Sequence, residues 1–167
     1  MERVQGQKFR SEWQDPYQAP YQMGGTPYPE RKAMIDSVFT RIIRREIPAA
    51  IVFEDDQVIA FMDAGQVNPG HVLVATRRQV ETVMELEEAE AAHLFAVATR
   101  IAKAVQAEFQ PSGMTLLQTN KPDGWQTVPH VHVHVLPRHA DDGVGLVWPR
   151  KDPPLSELQA LAKRLQV

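Results

Sequence analysis

From residue 34 onward the apolar positions of this chain fall into two rhythms, one helical and one alternating. "MIDSVFTRIIRREIP" carries Val38, Phe39, Ile42 and Ile43 at helical spacing, with Asp36 or Ser37 as N-cap candidate and Pro48 as the stop. "AAIVFED" and "VIAFMD" are short apolar runs around Asp55 and Asp56, the pattern of a β-hairpin. "NPG" at 68–70 marks a turn and "HVLVATR" the next strand. Residues 80–109 lack Pro and Gly. Leu94, Phe95, Ala98, Ile101, Ala102 and Val105 form an i, i+3, i+4 stripe, which predicts one long amphipathic helix. "PSG" ends it, "MTLLQTN" reads as a strand, "KPDGW" as a loop and "VPHVHVHVLPR" as the last strand. "SELQALAKRL" is a short C-terminal helix with Ser156 as cap. This order predicts an α+β domain: an antiparallel sheet of about five strands with one long and one or two short helices, the helices on one face.

Residues 1–33 show no such periodicity. They are rich in Pro, Gln and Gly and hold all three tyrosines, Tyr17, Tyr21 and Tyr28. A segment of this kind buries too little to offset its ordering entropy, so it reads as a flexible extension, or as an arm whose tyrosines pack on a partner subunit. Residues 34–167 form the domain, and 167 residues suffice for one core but not two.

Composition narrows the classes. The formal net charge of −3 gives no basic field for nucleic acid. The absence of cysteine removes disulfides, zinc fingers and a cysteine nucleophile. No apolar run approaches the roughly 20 residues of a membrane span, and the first residues lack a signal-peptide core. A cytoplasmic location is expected, with neither nucleic acid nor membrane as partner.

The chemistry concentrates in "QTVPHVHVHVLPRH". On a strand, His130, His132 and His134 share one face while Val131, Val133 and Val135 share the other. The valines are expected to be the buried side. The histidines are expected to face away from that core, as a row on the order of 13 Å long. Three readings compete. Surface histidines seldom come in strict alternation. A metal site could use His-x-His as a ligand pair, but no Asp or Glu lies close by in sequence to complete the set. Phosphate chemistry needs one nucleophilic nitrogen flanked by donors, which suits a row better than a point ion does. Imidazole fills either role near neutral pH.

"HVHVHVL", preceded by Gln126, Thr127 and Val128 and followed by "LPR", resembles the signature of the histidine triad (HIT) family of nucleotide hydrolases and transferases. "VFTRIIRREIPAAIVFEDDQVIAFMDAGQVNPGHVLVATRR" is similar to the N-terminal half of the Hint-like members, whereas "LPR" resembles the fragile-histidine-triad-like members. The resemblance covers residues 38 to about 138. It implies His132 as nucleophile, with one ring nitrogen held by a neighbouring carbonyl, and His130 and His134 as flanking groups that orient it and contact phosphate. Asn120, Gln126, Thr127 and His71 match phosphate-side positions. Asp63 matches the acceptor for the ribose hydroxyls, and Phe39, Ile42, Ile47, Phe61 and Ala64 match the pocket around the base. His93 and His139 match no assigned role. The implied activity is cleavage at the α-phosphate of a nucleotide ester, phosphoramidate or dinucleoside polyphosphate through a nucleotidyl-histidine, releasing nucleoside monophosphate. The alternatives are a metal-dependent hydrolase using the histidine row, or a non-catalytic nucleotide-binding protein. No cofactor or protein-bound metal is implied, although a divalent cation could neutralise a polyphosphate tail. A homodimer with a continuous sheet and a purine nucleotide are the implied partners. One departure stands out: the family usually has a small pair before Gln126, and here it is Gly124-Trp125. Trp125 is expected to border the leaving-group side.

Overall fold

The structure, a computed structural model, describes residues 35–165 apart from Leu146 and Trp148. The expected N-terminal extension lies outside the described residues.

Five strands form one antiparallel sheet in the order β1-β2-β3-β5-β4: β1 (Ile51–Glu54), β2 (Val58–Met62), β3 (Val72–Thr76), β4 (Gly113–Gln118) and β5 (His132–Arg138). The β1–β2 hairpin turns where Asp55 Oδ1 accepts from the Gln57 and Val58 amides. β3 is buried along its whole length, as a central strand covered on both faces must be. It pairs Ala75 with His132 and Leu73 with His134, which fixes the height of each histidine on the sheet.

Helix α1 (Val38–Ile43) begins at Ser37, whose Oγ accepts from the Thr40 amide, so Ser37 rather than Asp36 is the cap. The 22-residue α2 (Glu88–Phe109) follows a 3₁₀ turn at Val83–Glu85. The predicted helix therefore starts eight residues late. Two successive capping boxes, Thr82 with Glu85 and Glu87 with Glu90, divide the segment. The buried face of α2 is Leu94, Val97, Ala98, Ile101 and Val105. Val97 replaces the expected Phe95, which is 44 % exposed because the stripe turns away from it. Helix α3 (Leu155–Ala162) starts at Pro154, not Ser156, and buries none of its residues.

Two cores sit on opposite faces of the sheet. On one, α2 covers Val58, Ala60, Val72, Val74, Val131, Val133 and Val135. On the other, Phe39 and Ile42 of α1 pack with Ile59, Phe61, Leu73 and Ala75. This corrects two expectations. The helices do not lie on one face, and the histidine face is a core as well. Phe39 makes it one, meeting Phe61 edge-on at 5.3 Å and His132 at 5.0 Å between centroids. His130 and His132 are 0 % and 2 % exposed.

Candidate active site

His130 lies two residues ahead of β5, not within it. Its Nε2 donates to the Thr76 carbonyl at 2.7 Å, which leaves Nδ1 to accept from Ser37 Oγ at 2.7 Å. Ser37 N–H and Thr40 Oγ1 both donate to Gln79 Oε1, and Gln79 Nε2 donates to the Ile35 carbonyl. This polar cluster ties α1, the end of β3 and the approach to β5 together. Burial holds the His130 ring down to about pKa 4, against the opposing effect of the Thr76 carbonyl. The ring is neutral at pH 7.

The backbone of the pinned residue then serves its neighbour. His132 Nδ1–H donates to the His130 carbonyl at 2.6 Å. That bond fixes the tautomer and leaves Nε2 as a bare lone pair. Burial also lowers the His132 pKa, with the His130 carbonyl and the Asp63 charge pulling the other way. The ring is therefore an unprotonated base and nucleophile at neutral pH, without a general base to activate it.

His134 sits one step along, with its ring 5.0 Å from that of His132. Its Nδ1 shares a hydrogen with His71 Nε2 at 2.9 Å. Asp63 Oδ2 lies 3.5 Å from His71 Nε2 and 3.9 Å from His134 Nδ1. The β2–β3 ladder brings these groups together: the Asp63 amide donates to the His71 carbonyl one step past the Met62–Val72 pair. Burial, then the proximity of His132 and His71, pushes His134 down to about pKa 4. Burial also lowers His71, against the pull of Asp63.

A cavity of about 790 Å³ opens against these histidines. Phe39, Ile42, Ile47, Phe61 and Ala64 line it, with Asp63, Thr127, His132 and His134 at the polar end. The walls are mostly apolar with a few convergent polar groups, the usual make-up of a small-molecule site. Val38, Pro48, Leu73 and Val128 line it too. The sequence assigns none of these four to the pocket: Val38 and Leu73 read as apolar positions of the first helix and third strand, Pro48 as the helix stop, and Val128 as part of the stretch before the first histidine.

Four candidate residues lie off the cavity wall. His130 is sealed behind it. His71 is buried beside His134. Asn120 Oδ1 accepts from the Val83 amide and its Nδ2 donates to Gln118. Gln126 Oε1 accepts from the Lys121 amide while its Nε2 donates to the Glu81 carbonyl, so its side chain braces its own loop. Trp125 is 60 % exposed and does not line the cavity that holds the base-pocket residues. Its backbone is left-handed, φ +70°, which explains why a small residue suits this position. His93 bonds Asp55 at 2.8 Å, away from the triad.

Residues 44–141 match the HIT domain family, and the chain belongs to that family. It is 40 % identical over 112 residues to Protein hit of Bacillus subtilis, covering 66 % of this chain and 77 % of that one. Its structure resembles a crystal structure of a HIT family protein from Bacillus anthracis (TM-score 0.75, 36 % identity, 78 % of this chain and 95 % of that chain). It also resembles a Zn-bound histidine triad family protein from Mycobacterium smegmatis (TM-score 0.61, 28 % identity, 77 % and 94 %). HIT proteins are generally nucleotide-binding hydrolases and transferases, and typically need no cofactor. No helix among the described residues is long and apolar enough to cross a membrane.

Proposed function

We propose that this protein cleaves nucleotides at the α-phosphate in two displacements and releases a nucleoside monophosphate. The observation that carries the reading is the bond from His132 Nδ1 to the His130 carbonyl, which leaves a neutral Nε2 at the polar end of an apolar cavity. A purine base would lie between Phe39, Ile42, Ile47, Phe61 and Ala64, with the ribose hydroxyls donating to Asp63. The lone pair of His132 Nε2 attacks the α-phosphorus. The bond from phosphorus to the leaving oxygen or nitrogen breaks with its electron pair on the leaving group, which takes a proton from solvent. Water then attacks the nucleotidyl-histidine, gives one proton to solvent, and frees His132 as the neutral ring. His134 and Thr127 are the groups placed to donate to non-bridging oxygens. No step is routed through a metal; the zinc of the Mycobacterium smegmatis structure is a feature of that protein. Asn120 and Gln126 act through the shape of the loop that carries Thr127. A homodimer would place a second such site in the assembly.

His132→Ala should lower turnover of adenosine phosphoramidate, diadenosine polyphosphate and adenylyl sulfate by several orders of magnitude while AMP still binds. Acid quench of the wild type should trap an adenylylated chain by mass. A His132→Ala enzyme that turns over any active substrate at near-wild-type rate would sink the assignment.

A further inference from the structure

The fold supplies what the sequence around the histidines lacks, a carboxylate. Asp63 directly follows β2, His71 directly precedes β3, and His134 lies on β5. Three ligand atoms, Asp63 Oδ2, His71 Nε2 and His134 Nδ1, therefore converge from three neighbouring strands. Their separations are 2.9, 3.5 and 3.9 Å. A point equidistant from all three lies about 2.0 Å from each, the bond length of zinc to imidazole nitrogen and carboxylate oxygen. We propose that these three residues form a site for a divalent transition-metal ion of the zinc class at the polar rim of the cavity.

The donor set selects the ion. Two imidazoles and one carboxylate suit zinc and its borderline neighbours and disfavour magnesium, which keeps oxygen ligands and water. The side chains are held by sheet backbone and are 4 %, 24 % and 20 % exposed for His71, His134 and Asp63, so little ordering entropy is lost on binding. Asp63 Oδ1 already accepts from the Gly65 amide at 2.8 Å, which leaves Oδ2 for the ion. Without metal, His71 Nε2 and His134 Nδ1 share one hydrogen. Coordination needs both lone pairs, so one ring must move its proton to its other nitrogen, and no proton is released. His71 offers the place: Nδ1 is buried without a hydrogen-bond partner, and the Gly65 carbonyl lies close enough to raise its basicity. His134 Nε2 remains free toward the cavity. With both oxygens of Asp63 occupied, the ribose hydroxyls lose their acceptor, so metal and nucleoside monophosphate compete. That last step rests on the nucleotide reading; the metal site does not.

The full chain is stripped with chelator, dialysed, and titrated by calorimetry with Zn²⁺ and separately with Mg²⁺. One zinc per chain with a Kd of about 10 μM or tighter is expected, and no magnesium heat. Asp63→Asn, which keeps the shape and the bond to the Gly65 amide, should weaken zinc at least about tenfold, and His71→Ala likewise. Asp63→Asn decides the matter even if His71→Ala does not fold. No zinc binding, or zinc binding indifferent to Asp63→Asn, overturns the site. In a second arm, AMP should raise the apparent zinc Kd in proportion to its concentration. Unchanged zinc affinity under saturating AMP would keep the site and overturn the competition, locating the ribose away from Asp63.

Discussion

Ser37 shows how much one hydroxyl can hold. It caps α1, donates to His130 Nδ1, and so helps fix the residue whose carbonyl orients His132. Ser37→Ala removes a cap worth about 1 kcal/mol and strands a buried acceptor at about 1–3 kcal/mol. We expect stability to fall by about 2–3 kcal/mol in urea unfolding. We also expect kcat to fall with little change in KM, because the base pocket is untouched. Ser37→Thr should restore part of both, and a mutant with altered KM alone would refute this role. Trp125 carries the opposite lesson. A left-handed backbone costs a side-chain-bearing residue about 1–2 kcal/mol, partly offset by the entropy that glycine would lose. Trp125→Gly should therefore be neutral to slightly stabilising, and should leave base discrimination unchanged. A loss above about 1 kcal/mol would mean that the half-exposed ring packs better than its exposure implies.

At the scale of elements, the turn before β3 is the most constrained. Gly70 has φ +94°, and a Cβ there would fall 2.6 Å from a ring carbon of Phe109 at the end of α2. Gly70→Ala should cost at least about 1–3 kcal/mol. Phe109→Ala in the same chain should recover the steric part and leave the backbone part, so the double-mutant cycle should be non-additive. Additive losses would show that the ring swings clear. This turn was legible as "NPG", and so were all five strands, because Pro, Gly and period-two alternation are local signals. The two-sided burial of β5 was not. The alternation separated histidines from valines correctly, but it ranked imidazole as polar and placed it outside. A neutral imidazole with both nitrogens bonded, as in His130, packs like any core residue. The Gln79 and Thr40 partners lie 39 positions apart, and nothing in either local sequence points to the other. Asp63 and His71 were named separately, yet only the β2–β3 hairpin together with the β3–β5 pairing sets them beside His134.

For the whole molecule, the cluster of buried neutral histidines sets the acid limit of stability. His130 and His134 are held down to about pKa 4 by burial, and His71 and His132 are lowered as well. In the unfolded chain each returns to about 6.5. A histidine lowered on folding contributes stability that is present above its unfolded value and lost as pH falls toward its folded value, because the unfolded state binds more protons in that window. Stability should thus decline between pH 6.5 and about 4, by up to about 3 kcal/mol for each of His130 and His134 if the site stays dry. The paired carboxylates act lower. Glu90, held to about 2 by Arg78, and Asp142, held down by Arg138, lose their contribution only as pH drops from the ordinary carboxylate range toward their lowered folded values. Histidine and carboxylate losses are therefore separated on the pH axis. Urea unfolding at pH 7, 6, 5 and 4.5 should show the first of them, and His134→Gln should flatten its slope by removing one titrating ring. A stability that stays level down to pH 4.5 in the wild type would mean that these imidazoles are hydrated and charged in the native protein, and the neutral nucleophile at His132 would fall with them.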